Sequence, residues 1–291
     1  MLDDEAWLVL RKARERRDLR TLELVLSARG IESRVTYDAG VWHLLVGADD
    51  LLDANRELVA YDRENVPAPP VAMPAVIDNG YVGVAAYLAA IWLVMFCDAN
   101  AAFGWDWHGN GRLQAGAVAS GEVWRLATAL TLHADIGHIA ANSLFGGLFG
   151  VLVGRYFGSG LGWLCILLGG ILGNALNVIV RHEDFSSIGA STATFAAVGL
   201  TAAFAWRTGY FRHLTWQRGF APVFAAIAFF AYTGIGNERT DVVAHITGLV
   251  AGFCLGLGVA KTRLQLAGAR AQRFFAATAV ALVVLAWLAA N

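Results

Sequence analysis

The chain has 291 residues, 57% of them hydrophobic and only 15% charged, with a mean hydropathy of +0.53. A soluble domain carries about 25% charged residues, so this composition excludes an ordinary soluble globular protein and points to an integral membrane protein with the lipid bilayer as its partner. The formal net charge of −1 carries no nucleic-acid signal, and no nucleic-acid partner is expected. Cys97, Cys165 and Cys254 lie in or beside different apolar runs. Their spacing fits neither a metal site nor a disulfide framework, so all three are expected to be free and buried, and no metal or cofactor is expected. Met1 is followed by charged residues and not by an apolar stretch, so no cleavable signal peptide is expected.

Residues 1–66 differ from the rest. Ala6 to Leu10 reads as a strand, and Arg14 to Ala28 as a helix with Leu19, Leu22, Leu24 and Leu26 among charges. Ser33 to Tyr37 and Val41 to Val46 are β-rich runs about a turn at Asp38-Ala39-Gly40. Asp49 to Asn65 reads as a second helix. The pattern is βαββα, a small α+β domain of ferredoxin-like type, with no catalytic cluster and an expected regulatory or protein-contact role. Four of the five prolines fall between Pro67 and Pro74, which marks residues 67–80 as a stiff linker.

Seven apolar runs of bilayer-crossing length follow. They are Tyr81–Cys97, Ile136–Phe157, Leu161–Val180, Ala190–Trp206, Phe220–Gly236, Val242–Ala260 and Phe274–Ala290. The expected architecture is an all-α polytopic bundle, with six spans over 81–260 and a linker plus seventh helix over 261–291. The connections after the second, fourth and sixth runs hold Arg155, then Arg207, Arg212 and Arg218, then Lys261, Arg263, Arg270 and Arg273, without an acid. Those basic connections and the Arg-rich N-terminal domain are expected in the cytosol. The long connection from Asp98 to Asp135, rich in Trp and Gly, is expected outside as a partly embedded loop, with Arg125 beside Trp124 anchoring it at headgroup depth.

Four polar residues interrupt these runs. His138 and Asn142, spaced i, i+4, share one face of the second span. Ser191 begins the fourth and His245 lies a few residues into the sixth. All three spans run inward, so the four side chains lie within about two helical turns of the outer surface. Buried imidazole in lipid is costly without a partner or a wet cavity. The chemistry that fits is acyl transfer, with Ser191 as nucleophile and His245 as its base. His138, Asn142 and the Ser191 backbone N–H then receive the oxyanion. Asp241, one turn from His245 at the interface, leaves a dyad favoured over a triad.

Over residues 80–260 the chain resembles the rhomboid intramembrane serine proteases. The resemblance rests on Glu122-Val123-Trp124-Arg125, on His133-x4-His138-x3-Asn142, on Gly189-Ala190-Ser191 and on His245-x2-Gly248-x3-Gly252. It implies Ser191 and His245 as catalytic residues and His138 and Asn142 as the oxyanion hole. Phe195 matches the aromatic that packs on the catalytic imidazole, and Gly248 lets the sixth helix approach the fourth. His133 fits the pattern as a structural residue. One departure is Thr192, where the family usually has glycine. The seventh run resembles the extra helix of a six-plus-one subgroup.

The expected activity is serine endopeptidase cleavage of transmembrane proteins near the outer face of a bacterial inner membrane. The fifth run, with Pro222, Gly234 and Gly236, is expected to gate substrate entry. The alternative is a weak or inactive rhomboid-like protein that binds membrane proteins in quality control. Substrate identity and oligomeric state are not legible.

Overall fold

The computed structural model describes residues 6–66, 76–208 and 241–291. They form two compact units that divide at Pro70. The fifth apolar run, with the gating role read for it, lies outside the described residues.

The first unit holds β1 (Trp7–Ala13), α1 (Arg16–Ala28), β2 (Ser33–Asp38), β3 (Val41–Gly47) and α2 (Leu51–Glu64). The sheet order is β1-β3-β2, and both pairings with β3 are antiparallel. β1 and β2 therefore run parallel on either side of β3, joined by the α1 crossover. Leu19 and Leu26 of α1 pack with Leu44, Val46, Ala54 and Leu58, and Leu22 lies against that core. Leu24, on the same helix, is 64% exposed. Positions 19, 22 and 26 share one face at 3.6 residues per turn, and position 24 falls on the other.

The second unit is helical. Its elements are α3 (Tyr81–Ala99), the short α4 (Trp107–Gly111), β4 (Leu113–Gln114), α5 (Ala115–Ala119), α6 (Arg125–Thr128), α7 (Ile136–Phe157), α8 (Ser159–Val180), β5 (Ser186–Ser187), α9 (Ser191–Thr208), then Val242–Thr262 as α10 and Ala269–Ala290 as α11. Five of them (α3, α7, α8, α10 and α11) are long and apolar enough to cross a bilayer. The fourth run forms α9, whose 18 residues reach about 27 Å at 1.5 Å each. Its sequence is poorer in large apolar residues, because α9 is the central helix. Nearly all of its first fifteen residues are buried or half-buried by protein and not by lipid. Its Ala193, Ala197, Leu200 and Phe204 pack with Phe149, Val153 and Phe157 of α7, Leu161, Cys165 and Ile166 of α8, and Val259 of α10.

Glycine sets the closest seam. A methyl group on Gly248 of α10 would overlap the Thr192 carbonyl oxygen, and one on Gly252 would overlap that of Ala196. From the α9 side, a methyl on Gly199 would overlap the Leu249 carbonyl. The two backbones touch because these side chains are absent.

The three cysteines are free, as read, but Cys254 is exposed and only Cys97 and Cys165 are buried. A helix in lipid has no need to bury an apolar thiol, since its surroundings are as apolar as a core.

Candidate active site

The outer connection is a folded cap, not a tether. Arg125 is 7% exposed and turned inward. Its guanidinium pairs with Glu122 at 2.6 Å and donates to the carbonyls of Gly109 and Arg112, both at 2.9 Å. Rather than reaching for headgroups, it ties three parts of the connection together, because a buried guanidinium needs its donors filled. Trp124, half-buried, precedes it at the N-terminal edge of α6. β4 pairs antiparallel with β5, Leu113 against Ser187 and Gln114 against Ser186. The Gly189 amide then donates to the Ala129 carbonyl at 2.9 Å. This two-residue ladder, too short for any period-2 signal, fixes the segment that leads into Ser191.

Gly189 has φ of +130°, a conformation that favours glycine. A Cβ there would also lie 2.7 Å from Nε2 of His138 and 3.8 Å from the Ser191 hydroxyl. The glycine thus lets an imidazole and a hydroxyl converge on one point of backbone. Ser191 is the first residue of α9, so its N–H belongs to the first turn, where donors have no helical partner.

His138 sits in the first turn of α7. Asp135 caps that helix by accepting from the His138 amide at 2.8 Å, and the Ala134 amide donates to the His138 Nδ1 at 3.4 Å. Asn142, one turn on, is 1% exposed. Its amide nitrogen donates to the His138 carbonyl at 3.1 Å, while Tyr87 donates to the Asn142 carbonyl at 2.9 Å. His133 is 4% exposed and meets the His138 ring edge-on, with centroids 5.0 Å apart. Burial first, and the adjacent His138 second, push its pKa down to about 3. His133 therefore packs as a neutral ring.

Nε2 of His245, on α10, lies 3.0 Å from Oγ of Ser191. Phe195, one turn below Ser191, stacks on the His245 ring with centroids 4.4 Å apart and planes 20° apart. Asp241 caps α10 through the Ala244 amide at 3.1 Å. Its carboxylate also accepts from Arg181 at 2.6 Å and from Asn177 at 2.5 Å. Asn174, one turn before Asn177, donates to the Leu126 carbonyl at 2.9 Å.

Thr192 is 3% exposed, and its methyl would lie 2.7 Å from a Cβ placed on Gly173 of α8. It is not among the described non-glycine residues with positive φ. The backbone after Ser191 is ordinary helix, so a β-branched residue is accommodated, and its methyl fills the seam where α8, α9 and α10 meet.

An apolar cavity of about 660 Å³ lies between α3, α8, α9 and α11, lined by residues such as Ile91, Trp163, Ala193 and Val283. None of Ser191, His245, His138 and Asn142 lines it. Its lining is mostly apolar.

A family model described as the rhomboid domain matches residues 120–262. The chain is 31% identical over 138 residues to YdcA of Bacillus subtilis, whose name marks it as a candidate rhomboid protease; the match covers 47% of this chain and 68% of that one. It is 33% identical over 171 residues to rhomboid protease GluP of the same organism, covering 58% of this chain and 31% of GluP. Against rhomboid-like protease 2 of Toxoplasma gondii it is 32% identical over 145 residues, covering 48% and 49%. The chain thus spans about half or less of the length of the latter two. The matched segment runs from the folded cap to the end of α10, the region that carries the serine, the histidines and the glycine seam. On that agreement the chain belongs to the rhomboid family, as a multi-pass integral membrane protein.

Proposed function

We propose that this chain is an intramembrane serine endopeptidase in which Ser191 and His245 form a catalytic dyad. The observation that carries the reading is the 3.0 Å contact between His245 Nε2 and Ser191 Oγ, with the imidazole held flat on Phe195. A nucleophile within hydrogen-bond reach of an oriented base is what covalent catalysis requires. Here the orienting group is an aromatic face. Asp241 is taken up by Arg181, Asn177 and the Ala244 amide, which favours a dyad over a triad.

In this mechanism Ser191 Oγ attacks the scissile carbonyl carbon as its proton passes to His245 Nε2. The carbonyl oxygen becomes an oxyanion, received by the Ser191 N–H, His138 and Asn142. With its Nδ1 accepting from Ala134, a neutral His138 carries its proton on Nε2, the nitrogen beside Gly189. Collapse of the tetrahedral intermediate breaks the C–N bond, and His245 gives its proton to the leaving amine. Water, deprotonated by His245, then hydrolyses the acyl-enzyme. The intact Ser191–His245 contact argues against the non-catalytic reading. The direct test is a fluorophosphonate probe in detergent or lipid, which should label Ser191 in the wild type and not in His245→Ala. A wild-type protein that stays unlabelled would sink the dyad.

Replacing His138 or Asn142 with Ala should lower kcat with little change in KM. Loss of one such donor costs about 10²–10³ in rate, and less where other donors remain. Steady-state kinetics on a transmembrane substrate separate the two parameters. Normal kcat with a raised KM would make both residues substrate contacts.

The substrates in this reading are transmembrane proteins cut near the outer face of a bacterial inner membrane. The N-terminal unit, read as a ferredoxin-like regulatory or contact domain over 1–66, stays in the cytosol. The charge asymmetry of the connections supports this orientation. In a background without native cysteines, an impermeant thiol reagent should label a cysteine placed at His182 and not one at Arg263 from outside; the reverse pattern inverts the topology.

A further inference from the structure

The seventh apolar helix, α11, contributes nothing to the dyad or the oxyanion donors. It is nevertheless tied by side-chain hydrogen bonds at both ends. Near its start, Gln272 donates to the Phe157 carbonyl and accepts from the Leu161 amide, both at 2.9 Å, clasping the turn between α7 and α8. Near its other end, Trp287 is 5% exposed and donates from Nε1 to the hydroxyl of Thr131 at 3.1 Å, itself 6% exposed.

The contacts around Trp287 lead to the nucleophile. Its ring lies 4.6 Å from that of Trp107 and fills the space left by Gly111, where a methyl group would overlap it. The Gly111 carbonyl accepts from Thr128 at 2.7 Å, and the Thr128 carbonyl accepts from Thr131 at 2.7 Å. Between those two threonines, the Ala129 carbonyl accepts from the Gly189 amide at 2.9 Å. Gly189 abuts His138 and stands two residues before Ser191.

We infer that Trp287 is a positioning residue: through Thr131 it holds residues 128–131, and through their bond to Gly189 it sets where Ser191 and His138 meet. Two features separate this from generic helix packing. The indole nitrogen donates to a buried hydroxyl that is itself engaged, so the bond is directional. That hydroxyl also lies within the same turn as the carbonyl that receives Gly189. The seventh helix is then part of what holds the site in register, although it touches no reacting atom.

The effect on rate rests on the reading of Ser191 as nucleophile, so the experiment has two arms. In the first, Trp287→Phe keeps the ring and removes the donor, and Thr131→Val removes the acceptor at equal size. Each should lower kcat by about 2- to 10-fold, the scale of one buried hydrogen bond, with KM unchanged. The double variant should be no worse than either single one, as expected for one shared interaction, and Thr131→Ser should restore the rate. In the second arm, amide hydrogen exchange of residues 186–190 is followed in a Ser191→Ala background, where catalysis plays no part. Trp287→Phe should speed exchange at Gly189 while leaving α9 beyond Phe195 protected. Unchanged exchange at Gly189 in folded Trp287→Phe, or additive losses of kcat in the double variant, overturns the inference. Faster exchange in a protein whose wild-type form neither cleaves nor labels supports the positioning role and defeats the protease reading.

Discussion

Ser191→Ala is expected to abolish cleavage of a transmembrane substrate while leaving the fold intact. Losing the serine of a soluble serine hydrolase costs on the order of 10⁶ in kcat, and the proposed mechanism has no second nucleophile. Stability should barely change. Among the described residues the hydroxyl meets His245 Nε2 at 3.0 Å, and Ser191 is half-buried at a helix start. His245→Ala should cost a similar factor in rate but more in stability, since it also uncovers the face of Phe195. The measurement is turnover of a reconstituted substrate beside thermal unfolding in the same detergent. Cleavage by pure, folded Ser191→Ala at more than a hundredth of the wild-type rate would remove Ser191 from the mechanism.

Much of the helical unit is legible in sequence because lipid enforces one rule: a span must be about twenty residues long and close its own hydrogen bonds. The run Ile136–Phe157 coincides with α7, and Leu161–Val180 differs from α8 only at its start. The polar residues were visible for the same reason, since His138, Asn142 and His245 stand out against an apolar background. The pairing of His245 with Ser191 follows from helix order and shared depth, whereas Phe195 is named only by the family resemblance.

What escaped depends on contacts between segments far apart in the chain. β4 and β5 are two residues each and lie more than 70 positions apart, so no local pattern announces them. Nothing in the sequence near Trp287 points to Thr131, on which its indole is spent. Asp241 reads as an interfacial acid, but Arg181 and Asn177 reach it across the gap between α8 and α10. Arg125, beside Trp124, has the pattern of a headgroup anchor, whereas the carbonyls of Gly109 and Arg112 turn it inward. In each case a buried polar group found a partner that periodicity cannot name.

Gly248→Ala is expected to cripple the site from a position that carries no chemistry. The added methyl would meet the Thr192 carbonyl oxygen and carbon, which are backbone of α9 and have no rotamer to yield. Relief requires α10 to move away from α9, and His245 moves with α10 because it lies one turn before Gly248 on the same helix. The 3.0 Å contact to Ser191 is made across this seam. A misplacement of about 1 Å can cost about 10² in rate, and forcing a methylene-sized group into a packed seam costs typically 1–3 kcal/mol in stability. Gly258→Ala on the same helix provides the control. Nothing lies within 4 Å of a methyl group there, and Ala is favoured over Gly in a helix by up to about 1 kcal/mol. That variant should keep wild-type turnover and unfold no more easily. The comparison requires kcat, fluorophosphonate labelling rate and unfolding temperature for both. If Gly248→Ala labels as fast as Gly258→Ala, the close approach of α10 to α9 does not set the distance between base and nucleophile, and the dyad must be held by some other contact.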